Sequence, residues 1–206
     1  MEINGRQVHF CAKYYVLGTT KCRKLLNIFI ERNEEKPDLT VVMMNPGSAS
    51  PKTPNNTYVI GDDENDLQIT SSKDATLSRV SSLMTAFPQV KWIQVLNLSD
   101  IIQPTSINFY SLIDDLPCEL QTHSIFCHQR DPELRNLINP GSPVLLAWGM
   151  SKRTEKLKEQ AVNRLSVIGA NILNDHDDRL SCYHPLARLV GNGWRVNAIR
   201  MFNKIF

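Results

Sequence analysis

Two asparagines and one histidine hold the chemical potential of this 206-residue chain, each beside a turn: Asn45-Pro46-Gly47-Ser48, Asn97-Leu98-Ser99-Asp100 and Tyr183-His184-Pro185. Trp148-Gly149 forms a fourth turn between them. A side-chain amide presents a donor and an acceptor together, and a neutral imidazole presents one of each. Such groups hold a water molecule and read the edge of a planar heterocycle better than they attack an acyl group. The chain has no GxxxxGK[ST] phosphate loop, no GxGxxG and no GxSxG. No carboxylate pair is evident at these turns. The five cysteines (Cys11, Cys22, Cys118, Cys127, Cys182) contain no CxxC and are odd in number, so they read as reduced thiols. Cys118, His123, Cys127 and His128 fit no standard metal-ligand spacing. Asp175-His176-Asp177-Asp178 reads as a solvated turn. Neither metal nor cofactor is expected.

Turns of this kind need strands to aim them. Residues 39–44 (LTVVMM) form a short apolar run rich in β-branched side chains, as expected of a strand covered on both faces. WIQVLN (92–97) and SPVLLAWG (142–149) predict two more, and residues 167–173 a further one. Residues 8–17 predict an opening strand, and CRKLLNIFIERN after Gly18 has apolar residues at helical spacing. Asp74 is a candidate N-cap for a helix through ATLSRVSSLMTAF, with Leu77, Val80, Leu83 and Met84 on one face. In this setting Asp74 and Arg79 read as cap and helix surface. Helical pieces fall within 109–138 and an amphipathic helix in 151–165. A closing helix carries Val196, Ile199 and Phe202 on one side. The long stretch 45–73 holds three of the eleven prolines and little periodicity, which marks a functional or mobile loop.

Strands alternating with helices predict an α/β fold, with a short central parallel sheet between two helical layers, in one domain over 1–206. Residues 1–38 supply the N-terminal strand and helix, and 39–206 the core. Ligands bind beyond the carboxyl ends of such strands, which is where the asparagine and glycine turns fall. The composition, 42% hydrophobic and 21% charged, suits a globular protein. No run approaches the roughly 20 apolar residues of a membrane span, and the first residues lack a signal-peptide pattern, so the expected location is cytoplasmic. Lys and Arg less Asp and Glu give +2 for 1–50, −5 for 51–150 and +5 for 151–206. The basic C-terminal quarter would help hold a polyanion, although the net +2 is modest for an obligate nucleic-acid binder.

Asn45-Pro46-Gly47 after the first core strand, Val-Leu-Asn97 ending the second, Ala-Trp148-Gly149 ending the third and His184-Pro185-Leu186 near the end occur in that order. Over about residues 39–206 this set resembles the uracil-DNA glycosylase superfamily. With Asp74-Ala75-Thr76-Leu77-Ser78-Arg79, it looks like an uncharacterised branch whose first motif is Asn-Pro-Gly. The resemblance implies a three-layer α/β/α domain that flips a nucleotide out of DNA and hydrolyses its N-glycosidic bond, because the sugar carbon is unreachable within the stack. By the same resemblance Asn45 and His184 are catalytic, the first positioning water and the second donating to the departing base. Asn97, Pro46, Gly47 and the loop aromatic Tyr58 would contact the base. Ser48, Leu186, Arg188, Trp148 and Gly149 would contact DNA.

Two departures bear on chemistry. An aspartate stands near the water in the most active uracil enzymes, whereas here Asn45 resembles the mismatch-specific branch and implies slow or narrow catalysis. Leu186 replaces the usual serine after His-Pro. The expectation is therefore a monomeric, cofactor-free glycosylase directed at a modified or non-standard base, in repair or against foreign, phage-like DNA. Two alternatives stay open: a non-catalytic module that binds a nucleotide or nucleic acid, and an N-glycoside hydrolase of free nucleosides or nucleotides. Plainer roles also exist for the residues themselves. Asn45 could serve only its turn, Asn97 a cap, and His184 the packing of its loop.

Overall fold

A computed structural model describes residues 2–31, 36–47, 74–187 and 193–204, together with the backbone of 67–68. After the small ribbon of β1 (Glu2–Ile3) and β2 (Arg6–Gln7) come β3 (His9–Leu17), β4 (Thr20–Phe29) and β5 (Leu39–Met43). Then follow β6 (Leu67–Gln68), α1 (Ala75–Ser81), α2 (Leu83–Ala86), β7 (Trp92–Asn97), α3 (Ser106–Asp114) and α4 (Asp131–Leu137). The chain continues through β8 (Pro143–Leu146), α5 (Glu155–Ile168), β9 (Asn171–Leu173) and α6 (Gly193–Phe202).

The sheet is seven-stranded and mixed, in the order β6-β3-β4-β7-β5-β8-β9. Strands β7, β5, β8 and β9 run parallel, as the alternation of strands and helices predicts. The other three, β4, β3 and β6, extend this parallel part through successive antiparallel pairings, so the sheet is wider than the short parallel one expected. All five residues of β5 and all six of β7 are buried, the signature of strands covered on both faces. Leu39, Val41, Met43, Ile93 and Val95 pack with Leu77, Val80, Leu83, Trp194, Ala198 and Phe202 of α1, α2 and α6. The alternate residues Val42, Leu96, Val144 and Leu146 pack with Leu134, Ala161, Leu165 and Ile168 of α4 and α5. Helices thus flank the sheet on both faces. Among the described residues no helix is long and apolar enough to cross a membrane.

The segment expected as a helix after Gly18 is strand β4. Gly18 takes φ +60° in a two-residue turn, which pairs Leu17 with Thr20 and sends the chain back along β3. A glycine at the first turn position is the requirement of this kind of hairpin. The apolar run Leu25, Leu26, Ile28, Phe29 divides between the two faces: Leu25 enters the core on the α4/α5 side, Leu26 and Ile28 the other. A strand buried on both faces looks helical in periodicity, which explains the misreading. Elsewhere the differences are local. Val167 and Ile168 belong to α5, which ends at the left-handed Gly169, leaving only Asn171–Leu173 as strand. The closing helix buries Trp194, Ala198, Met201 and Phe202, and Val196 is 61% exposed. The bulkier tryptophan and methionine take the inward face in its place.

Candidate active site at the strand ends

Strand β7 lies on one side of β5 and β8 on the other, so successive connections leave the middle of the parallel sheet in opposite directions. A crevice opens at such a switch point. A cavity of about 320 Å³ occurs at the carboxyl end of β5, lined by Asn45, Pro46, Gly47, His184 and Leu186. Arg23, Met43, Met44, Asp74 to Leu77, Pro104 and Ser106 complete the lining. Gly47 holds φ +66°, and a Cβ there would meet open space. The glycine therefore serves the left-handed backbone after Pro46.

Asn45 is oriented by its own hydrogen bond: Nδ2 donates to the Gln103 carbonyl oxygen at 2.7 Å. Since a carbonyl only accepts, the amide nitrogen is fixed there and Oδ1 is left as an acceptor. His184 is fixed in the complementary sense, with Nδ1 accepting from the Leu186 backbone N–H at 3.1 Å. That bond selects the tautomer with its proton on Nε2. Burial lowers the imidazole pKa, and the Asp74 charge opposes the shift in part. His184 is thus a neutral donor at physiological pH.

Asp74 caps α1 as expected, Oδ1 accepting from the backbone N–H of Thr76 at 2.8 Å and of Leu77 at 3.1 Å. It also lines the cavity and exerts its charge on both His184 and Arg23. The cap was legible in the sequence and its place beside His184 was not, because capping already accounted for the residue.

Asn97 closes β7 at 0% exposure, and neither atom of its amide has a hydrogen-bond partner among the described residues. It does not line the cavity. Trp148 is 1% exposed, and its indole Nε1 donates to the Leu180 carbonyl at 3.1 Å. Its backbone N–H donates to Cys182 Sγ at 3.2 Å. A ring sealed in this way cannot reach DNA. It anchors the segment that leads to His184, and the expected DNA contact at Trp148 is corrected accordingly. Gly149, at φ +92°, allows the same segment close: a Cβ would stand 3.8 Å from that of His184. Its carbonyl accepts from Lys158 Nζ at 2.8 Å, which makes it part of the support as well. Leu186 is 37% exposed at the cavity rim. Ser48, Tyr58 and Arg188 lie outside the described residues.

Behind the site is a buried ionic network that the sequence did not reveal. Arg130 Nη1 donates to Asp100 Oδ2 at 2.6 Å, and Tyr15 donates to the same oxygen at 3.0 Å. Arg130 also grips both oxygens of Glu133, at 2.8 and 3.0 Å. Next to it His123 Nδ1 and Ser99 Oγ share a 2.7 Å hydrogen bond. Burial, aided by the Arg130 charge, pushes the His123 pKa down to about 4. The folded imidazole therefore stays neutral where an unfolded one, near 6.5, gains a proton. The stability tied to this difference is complete above that value and is lost as pH falls toward 4. Between pH 7 and 5 the wild type is expected to lose about 2 kcal/mol more than His123→Gln. Urea unfolding of both proteins at the two pH values measures it, and parallel losses would show that His123 titrates freely.

Comparison with protein-family models, with curated proteins and with solved structures returns no match to this chain.

Proposed function

We propose that the cavity holds a nucleobase extruded from DNA and that the protein hydrolyses the bond between that base and its sugar. One observation carries the reading: Asn45 and His184 line the same cavity, each pinned by a backbone group so that an acceptor and a donor are left over. The reaction calls for that pair. As the C1′–N bond breaks, its electron pair moves onto the base and the sugar gains oxocarbenium character. The Nε2–H of His184 stabilises charge developing on a base oxygen, and a neutral imidazole does so without giving up a proton. Asn45 Oδ1 accepts from a water molecule and turns a lone pair of that water toward C1′. A C1′–O bond then forms, and the water's proton passes to the leaving base or to solvent. The Asp74 carboxylate, whose charge is felt at His184, favours the cationic sugar. The resemblance to uracil-DNA glycosylases and the basic C-terminal quarter point the same way.

The test is release of a base. Genomic DNA from several sources, including phages with hypermodified bases, is incubated with the wild type and with an Asn45→Ala/His184→Ala double variant, and mass spectrometry reads the freed bases. The expected result is a base, and a matching alkali-labile abasic site, produced by the wild type alone. DNA binding without release of any base would sink the catalytic reading. It would favour the binding module instead, and affinity should then fall steeply with salt as phosphate contacts release counterions.

A further inference from the structure

Arg23 is 1% exposed on β4, yet its Nε and Nη1 have no hydrogen-bond partner among the described residues. It lines the same cavity as Asn45, Asp74 and His184. The Arg23 backbone N–H donates to the Asp100 carbonyl at 2.8 Å, and the charges of Asp74 and Asp100 favour its guanidinium, but no described residue accepts from Nε or Nη1. A buried guanidinium is tolerated when its donors are satisfied, so two unpartnered donors on a residue of the cavity wall call for an acceptor brought by a ligand. The DNA backbone is an unsuitable source, because a residue this enclosed is reached only by a group that enters the cavity. Guanidinium nitrogens donate and never accept, which excludes an exocyclic amine at this position. The carboxylate that shares the cavity lining, Asp74, already commits Oδ1 to the cap of α1. An ionised oxygen is the acceptor that best offsets a desolvated cation.

We propose that Arg23 is the specificity-determining residue of the cavity, and that the ligand is a heterocyclic base carrying an oxyanion, a carboxylate or an ionised ring oxygen, which Arg23 binds. This rests on the reading of the cavity as a base pocket. It adds to that reading a substrate class and a contact residue that lies outside every strand-end turn.

Binding is tested without catalysis. The full chain is titrated calorimetrically with orotate, a carboxylated pyrimidine, and with uracil, cytosine and inorganic phosphate, alongside Arg23→Met and Arg23→Lys. Orotate is expected to bind the wild type, uracil more weakly and cytosine not at all. Arg23→Met should weaken orotate about 10- to 100-fold, the range for a lost charged hydrogen bond, and Arg23→Lys by less. Arg23→Met should also melt no lower than the wild type, because it removes a buried charge whose Nε and Nη1 have no partner among the described residues. Failure of that variant to fold, or a clear drop in melting temperature, would make Arg23 structural and overturn the proposal. Equal binding of cytosine and orotate, or of phosphate and orotate, would overturn the assignment of the ligand. Loss of orotate binding in Arg23→Met without base release from any DNA would uphold Arg23 and sink the glycosylase. Base release undiminished in Arg23→Met would do the reverse.

Discussion

Arg130→Met is expected to lower the stability of the fold by about 3–5 kcal/mol at neutral pH, the cost of removing one member of a buried ion pair. The partner left behind is Asp100, fully enclosed at 0% exposure; among the described residues its Oδ2 would keep only Tyr15 as a donor and its Oδ1 already has none. Burial pushes the Asp100 carboxyl up to about 6, and the nearby carboxylates Asp100 and Glu133 hold the Arg130 guanidinium above its ordinary range. Both directions describe a pair that is ionised at neutral pH. Without Arg130 the Asp100 pKa rises further above its unfolded value, and a raised carboxyl pKa costs stability as pH rises. The deficit of Arg130→Met should therefore be largest near pH 8 and shrink toward pH 5. Urea unfolding across that range measures it. Arg130→Met combined with Asp100→Leu should recover much of the loss, since an apolar pair replaces the ionic one. A deficit independent of pH would show that lost packing, rather than a stranded charge, explains the effect.

The same network shows where sequence reasoning stopped. The parallel strands at 39–44, 92–97 and 142–149 were legible because continuous β-branched runs bounded by Asn, Gly and Pro leave little choice, and the Asp74 cap was legible from its place before an amphipathic run. The turn at Asn45 followed, since strand ends are where ligands bind, and the role of His184 entered through the resemblance. Arg23 was hidden by the wrong period. In a segment expected to be helical, nothing about Arg23, between Cys22 and Lys24, singles it out. On β4 it follows a hairpin turn and enters the cavity. The clue available was the Gly18-Thr19 dipeptide between two β-rich runs, a two-residue hairpin signal. The pairing of Arg130 with Asp100 could not be found by inspection: 30 residues separate them, and although Asp100 closes the turn after Asn97, nothing near Arg130 marks it as its partner. Trp148 was misjudged for a different reason. The resemblance implied a DNA contact there, but the hydrogen bond from its indole to Leu180 makes it the anchor of the His184 segment instead.

That anchoring gives the largest kinetic effect its form. His184→Ala is expected to reduce the single-turnover rate of base release by about 10²–10³-fold, the range for loss of one preorganised donor to a developing anion. Its effect on stability should be small, because the side chain's hydrogen bond is to one exposed turn N–H. The pH profile separates donor from acid. A neutral imidazole with its pKa lowered by burial keeps Nε2–H throughout pH 6.5–9, so the His184-dependent part of the rate should be flat there. A rate that falls with an apparent pKa near 6.5 would instead require a protonated imidazole and refute the neutral-donor role. Asn45→Asp is the informative companion. An aspartate is expected to strengthen catalysis if the position simply needs a base, as the resemblance to the faster uracil enzymes would suggest. Here the Gln103 carbonyl oxygen lies 2.7 Å from Asn45 Nδ2, and a carboxylate oxygen in that place would face another acceptor. The variant should lose its orientation, and with it rate, like Asn45→Ala. A gain in rate would show that the Gln103 contact is dispensable and that Asn45 only tempers a site able to use a base.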